Sequence, residues 1–336
     1  MARLIAITFM ISIPALWLSA AQAAIYELPG DGVTVVGKIQ HTKTGDSDTF
    51  VALSRKYDLG YRELEHANPD VDPWLPGDGT PITLPTRYVL PNAPHKGIVI
   101  NLSEMRLYYY PPKGSKNAGK VVTMPLGIGR KGWQTPLGKT HVSNKIRKPS
   151  WTVPESIRKE HKEDGDPLPK VVPAGPDNPL GQYALQLALP GYLIHGTNKP
   201  RGIGMQVSHG CIRLYPEDIE NLFAMLGSRT PVHIVDQPYK VGWNGQQLVM
   251  SAHPPAQEKK SGKQNYASWT KTIVTASNEH EHTNINWERA QSVASKANGI
   301  PQPITDLGND ASSEASHNSN ADEQKTESAS EAKNHS

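Results

Sequence analysis

Cysteine is nearly absent from this 336-residue chain, in which Cys211 stands alone. An intramolecular disulfide is therefore excluded, and nothing in the fold is stapled covalently. Long apolar runs are also scarce. No run beyond the N-terminal segment approaches the roughly 18 residues that a bilayer span takes, so the protein is read as not membrane-spanning. Charge of one sign does not dominate either, since the formal net charge is +3. No stripe interleaves basic with aromatic side chains, and binding of nucleic acid is not expected.

The one early apolar stretch runs from Leu4 to Leu18, behind Arg3 as the only early charge. Ala21-Gln22-Ala23 then supplies the small-x-small pattern of a signal-peptidase site. The stretch is short for a membrane anchor and no basic stop-transfer follows. Residues 1–23 are expected to be a signal peptide cleaved after Ala23, leaving a protein that works outside the cytoplasm. In an oxidising compartment a lone thiol is a liability unless it is used, although an inert buried cysteine gives the same count. At the other end, residues 301–336 hold seven acidic and two basic residues and almost no large apolar side chain. They are expected to form a disordered acidic tail.

Residues 38–85 read as a small β-α-α-β unit. Phe50, Leu53 and Tyr57 share one helical face behind a Ser47 or Asp48 cap. Leu59-Gly60 breaks that helix, and a second spans about 62–67 and stops at Asn68-Pro69. Strands are expected near 35–41 and over 81–84. The Gly45-Asp46-Ser47-Asp48-Thr49 start, Glu65-His66-Ala67-Asn68-Pro69 and Leu75-Pro76-Gly77 resemble the LysM module. That resemblance implies binding of N-acetylglucosamine-containing glycan, with a packing unit that has lost sugar binding as the alternative.

After a Pro-rich connector over 85–96, the periodicity turns to two. Ile98–Leu102 and Met105–Tyr110 flank Ser103-Glu104 as a hairpin. Further strands are expected over 121–128, 138–146, 183–189 and 191–194. One helix is convincing, over 216–226, with Pro216 at its start and Ile219, Leu222, Phe223 and Leu226 on one face. Short strands with Gly/Pro turns argue for a sandwich or barrel. Residues 147–179 show little periodicity and read either as a flap over a site or as a solvated loop. Residues 237–300 begin strand-like and then turn polar, as a C-terminal subdomain of no legible purpose.

The chemistry concentrates in His195-Gly196-Thr197-Asn198 and Ser208-His209-Gly210-Cys211-Ile212-Arg213. An imidazole or cation near a thiol favours its reactive form. Gly196 and Gly210 admit close backbone approach, and N–H groups near His209–Cys211 suit an oxyanion. A zinc site from His195, His209 and Cys211 lacks an evident fourth ligand, and a core cysteine beside core histidines is the other bland reading.

These two runs closely resemble the catalytic domain of the YkuD-type L,D-transpeptidases, and the likeness extends over about 96–236. Pro125–Gly129, Trp133 with Thr135–Gly138, and Asn178–Gly181 belong to it. The resemblance implies a mainly β fold, an L,D-transpeptidase-type β-sandwich with one short helix, preceded by the LysM-like module. It implies Cys211 as nucleophile and His195 as base, oriented by a backbone carbonyl at Gly196, with His209 and Gly210 completing the catalytic set. Ser208, Arg213, Thr197 and Asn198 fall at substrate-binding positions. No metal or organic cofactor is implied. The implied partners are peptidoglycan stem peptides and glycan, with an outer-membrane lipoprotein as one acyl acceptor. Water as acceptor, making an L,D-carboxypeptidase, and a non-catalytic peptidoglycan-binding scaffold are the alternatives. The order of signal peptide, module and catalytic domain is similar to periplasmic members from Gram-negative bacteria.

Overall fold

The strands that flank Ser103-Glu104 carry large side chains on both faces, and both faces are covered. Gly97–Asn101 pairs antiparallel with Arg106–Tyr110, and every residue of both is buried. Because side chains alternate, Ile98, Ile100, Leu107 and Tyr109 enter one core while Val99, Tyr108 and Tyr110 enter a second. This computed structural model describes residues 23–30, 32–256, 266–278 and 283–306. The hairpin lies within a nine-stranded sheet whose order is Ala24–Glu27, Lys120–Pro125, Arg106–Tyr110, Gly97–Asn101, Pro231–Val235, Gly138–Arg147, Tyr183–Leu187, Leu193–His195 and Ile212–Arg213. Two neighbouring pairs are parallel, Gly97–Asn101 with Pro231–Val235 and Leu193–His195 with Ile212–Arg213. One core gathers Ile98, Val122, Val142, Leu185, Ile194 and Ile212 from strands across the sheet, which requires the sheet to curl. Helix α4, Pro216–Met225, fills the hollow with Ile219, Leu222 and Phe223. The fold is mainly β, as expected.

Within residues 38–85, Gln40–Lys43 pairs with Pro81–Leu84 around helices α1, Phe50–Lys56, and α2, Tyr61–Ala67. Thr49, rather than Ser47 or Asp48, caps α1 by accepting from the Ala52 N–H at 3.2 Å. The expected strand near 35–41 divides: Val35–Gly37 turns away to pair with Arg87–Val89, so the connector is itself partly strand. The unit is docked firmly. Arg106 is fully buried and donates to Glu63 Oε2 at 2.6 Å and to the Asp58 carbonyl at 3.3 Å. The Tyr61 N–H donates to the Ile203 carbonyl at 3.2 Å, and the Tyr215 hydroxyl to the Leu59 carbonyl at 3.1 Å. Gly60 and Gly204 meet back to back. A Cβ on Gly60 would lie 2.9 Å from Gly204 Cα, and Gly204 has φ +79°.

Several expectations are corrected. Residues 147–179 contain helix α3, Glu155–Glu163, whose only buried residue is Ile157. One apolar position leaves no periodicity to read, and the helix rests on good helix formers and on favourable end charges, Glu155 first and His161-Lys162 last. A second helix therefore belongs to the catalytic unit. Pro231–Val235, not anticipated, lies mid-sheet. The polar stretch after 253 forms α5, Tyr266–Ser277, and α6, Trp287–Lys296, which bury Trp269, Ile273 and Val293 against the hairpin of Tyr239–Asn244 and Gln247–Ala252. The boundary at residue 300 moves to 306, because Gln302–Pro303 joins that hairpin and Ile304 is fully buried. The remainder of the acidic stretch, 307–336, and residues 1–22, most of the expected signal peptide, lie outside the described residues. No helix among the described residues is long and apolar enough to cross a membrane.

Lys240 fixes the C-terminal subdomain to the catalytic sheet. Its buried ammonium donates to Glu104 Oε1 at 2.6 Å and to the Val89 carbonyl at 2.5 Å. Burial works against the Glu104 carboxylate, but Lys240, His253 and the Tyr108 hydroxyl outweigh it and hold its pKa below the usual range.

Candidate active site

The parallel ladder between Leu193–His195 and Ile212–Arg213 aligns Ile194 with Ile212 and His195 with Arg213. Ile194 and Ile212 face the core. By alternation, His195, Arg213 and Cys211 project from the opposite face, with Cys211 next to Leu193 and diagonal to His195. A few residues of strand thus bring together a thiol and an imidazole sixteen positions apart. The half-buried Cys211 thiol lies 3.7 Å from the Gly191 carbonyl and receives the Leu193 N–H.

His195 is buried, and its Nδ1 lies 2.6 Å from the Gly196 carbonyl oxygen. That acceptor requires a proton on Nδ1, which leaves Nε2 with its lone pair. Burial, reinforced by the Arg213 charge, lowers the His195 pKa to about 3. Burial also raises the Cys211 pKa, against opposing pulls from the Leu193 N–H and Arg213. Both groups are therefore neutral at rest, a thiol and an imidazole on one face of the sheet, with the imidazole Nε2 unprotonated. That is the arrangement of a base-assisted nucleophile.

The turn before Cys211 is built from backbone. Gly210 has φ +101°, and a Cβ there would press on the Tyr192 ring at 3.2 Å. Ser208 is buried; its hydroxyl donates to the Cys211 carbonyl at 2.5 Å and accepts the Gly210 N–H at 3.2 Å. The Gly210 N–H is thereby committed. The His209 and Cys211 N–H groups donate to nothing among the described residues. Thr135 donates its hydroxyl to the Gly210 carbonyl at 2.8 Å, so the Cys211 N–H of that planar trans peptide points the opposite way.

His209 stands apart from the thiol–imidazole pair in its bonding. Its Nε2 lies 3.1 Å from Glu160 Oε2, on α3, and 3.1 Å from the Arg130 guanidinium, which also binds Glu160. The Trp133 ring meets it edge-on at 5.0 Å. Helix α3 therefore reaches the site, which favours the flap over the solvated loop. Thr197 uses its hydroxyl to hold the Lys199 N–H at 2.9 Å, and Asn198 donates to the Asp177 carbonyl at 3.0 Å. Thr197 shapes its own loop, and Asn198 ties that loop to the end of the 147–179 stretch. Arg213 has no acid partner among the described residues, and its buried Nε is unbonded. No group of three or more His, Cys, Asp or Glu among the described residues could hold a metal ion.

Arg130 and Glu160 escape a reading of the sequence, because nothing near Cys211 in the chain points to them. Thr135 and Trp133 were within reach, as members of the run that carries the family resemblance.

A neutral thiol and imidazole on one face of a curled sheet suit acyl transfer, and comparison with known proteins gives the family. Residues 95–234 match the family model described as the L,D-transpeptidase catalytic domain, YkuD. The chain is 46% identical over 246 residues to the protein named "Probable L,D-transpeptidase YcfS" of Escherichia coli K12, covering 71% of this chain and 75% of that one. It is 44% identical over 225 residues to "Probable L,D-transpeptidase YbiS" of the same strain, covering 66% and 72%. "Probable L,D-transpeptidase ErfK/SrfK" of that strain follows at 42% over 221 residues, covering 65% and 70%. The chain belongs to the L,D-transpeptidase family.

Proposed function

We propose that the protein is an exported peptidoglycan L,D-transpeptidase that acts through an acyl-enzyme on Cys211. The observation that carries this reading is the ladder placing Cys211 and a neutral, carbonyl-oriented His195 on one face of the sheet. In the first transfer the Cys211 sulfur attacks the carbonyl at the L-centre of meso-diaminopimelate in a tetrapeptide stem. His195 Nε2 takes the thiol proton. The oxyanion that forms is met by the Cys211 and His209 N–H groups, the two that remain uncommitted. The bond to D-alanine then breaks, and its nitrogen leaves with the proton from His195. In the second transfer an amine gives its proton to His195 and attacks the thioester carbonyl, and the thiolate departs and regains a proton. The acceptor is a second stem, giving a 3→3 cross-link, or a lysine of an outer-membrane lipoprotein. The unpaired Arg213 guanidinium suits a stem carboxylate. The 38–85 unit, read as LysM-like, supplies contact with the glycan, and cleavage after Ala23 places the enzyme in the periplasm.

Incubation of the purified protein with tetrapeptide muropeptides, resolved by mass spectrometry, tests this. Cys211→Ala should abolish D-alanine release, with melting within a degree or two of the parent. Release at the parental rate would sink the assignment. A carbapenem should leave one adduct, at Cys211.

A further inference from the structure

A pair of buried carboxyls lies away from Cys211, where the 38–85 unit, α4 and the first strand meet. Asp58 follows α1 in left-handed backbone at φ 53°, and Asp218 sits in the first turn of α4. Asp58 is 4% exposed and Asp218 is fully buried. Neither oxygen of Asp218 receives a hydrogen bond, nor does Asp58 Oδ1. The two carboxyls lie against each other, and they can bond only if one keeps a proton. Nearby cations are already committed, Arg106 to Glu63 at 2.6 Å and Arg55 to Glu217 at 3.0 Å. The backbone donor that enters the pair is the Ala24 nitrogen, 3.2 Å from Asp58 Oδ2. While that nitrogen is an amide, burial raises Asp58 to about 7 and Asp218 well above the usual range.

Ala24 is the residue that cleavage after Ala23 turns into an N-terminus. We propose that this cleavage creates the missing counter-ion: the new Ala24 α-ammonium seats against Asp58 and Asp218 and locks strand, module and α4 together. The reading rests on the proposed cleavage site and not on chemistry at Cys211. Hydrolysis of the Ala23–Ala24 bond adds one water, sends a carboxylate away with the leader, and leaves an amine that takes a proton. One N–H becomes three, so Asp58 Oδ2 keeps its donor while Asp218 gains one. The position is pre-set, because Ala24 to Glu27 are held in register with Thr123 to Lys120. The site is thus a binding site for a primary ammonium, built from two units and filled by a third part of the same chain. Its anchor on α4, Asp218, lies seven residues after Cys211, so the locked turn also steadies the segment that carries the thiol.

The test compares the chain that begins at Ala24 with one that retains Ala21–Ala23, both carried to Ser336. The Ala24 chain should melt roughly 5 °C or more higher at pH 7.5, reflecting the cost of leaving a buried charge unpaired. Nitrogen-15 NMR of Ala24 should show an α-amine titrating above its ordinary pKa of about 8. The D58N/D218N double variant should remove the melting difference between the two chains. N-terminal sequencing of the exported protein should read Ala24 first. Equal melting of the parent pair, an ordinary α-amine pKa, or a different first residue overturns the proposal. D-alanine release, measured on the same samples, reports separately on the acyl-transfer reading.

Discussion

At His195 the 2.6 Å contact to the Gly196 carbonyl and the surrounding burial act in one direction, keeping the ring neutral and its Nε2 available. The free imidazole pKa of about 6.5 should therefore be missing from the acid limb of kcat/KM. Activity on muropeptides should persist unchanged from pH 7 to pH 5, and fall only as the His195 pKa of about 3 is neared. A limb centred near 6.5 would contradict the neutral pair. Thr135 acts through the Gly210 peptide, so Thr135→Val should lower kcat roughly tenfold or more while KM and melting change little, as expected for a misaligned oxyanion donor. Cys211, His195 and Gly210 were legible in the sequence as a thiol, an imidazole and a glycine in two short runs, and their roles only as what the family resemblance implies. Ser208 was legible as a member of the motif but not in its task, since only coordinates reveal that its hydroxyl is spent on the turn.

Helix α3 reaches the site through Glu160, which bonds both Arg130 and His209, and through the His161 ring, 6.1 Å from that of His209. Glu160→Ala should free the helix, seen as faster amide exchange over 155–163, and raise KM more than it lowers kcat. Unchanged exchange there would mean that Ile157 and the His161 ring hold the helix without Glu160. The element scale is where sequence reading fell shortest. The hairpin at 97–110 and α4 were legible through strong periodicity of two and of three to four. Helix α3, with one buried residue, has no such signal, and Pro231–Val235 owes its central place to partners more than eighty residues away in the chain. Helices α5 and α6 bury their faces only against a hairpin of their own subdomain, so a polar average hid them.

For the whole molecule, the decisive contacts are buried ions that join units. Lys240→Met should leave Glu104 buried without its cation and cost about 3–5 kcal/mol in urea unfolding. Because the folded Glu104 pKa is depressed, its stabilising contribution is present above the unfolded carboxyl pKa and lost as pH falls, so this penalty should shrink in acid. A Lys240→Met/Glu104→Gln pair should recover most of the loss; failure to recover would point to packing rather than charge. His195 and His253, depressed to about 3 and about 4, add a slope of the same sign. The unfolded chain takes up protons at these sites below about pH 6.5 and the folded chain does not, so stability falls as pH drops from 6.5 toward 4. The module's outline was legible, but its attachment was not, because Arg106 reads in the sequence as one more strand residue.

The back-to-back contact of Gly60 and Gly204 bears on how such a chain can change by recombination. Two backbones touch there with no side chain between them, one from the module and one from the catalytic unit. A foreign module spliced in front of this catalytic domain with any residue but glycine at the position of Gly60 would be held off the surface that α2 now covers. The same exchange would take Glu63 and Asp58 from Arg106, a fully buried guanidinium, and leave it Thr123. The module is a fitted part of this enzyme rather than an interchangeable bead on a string.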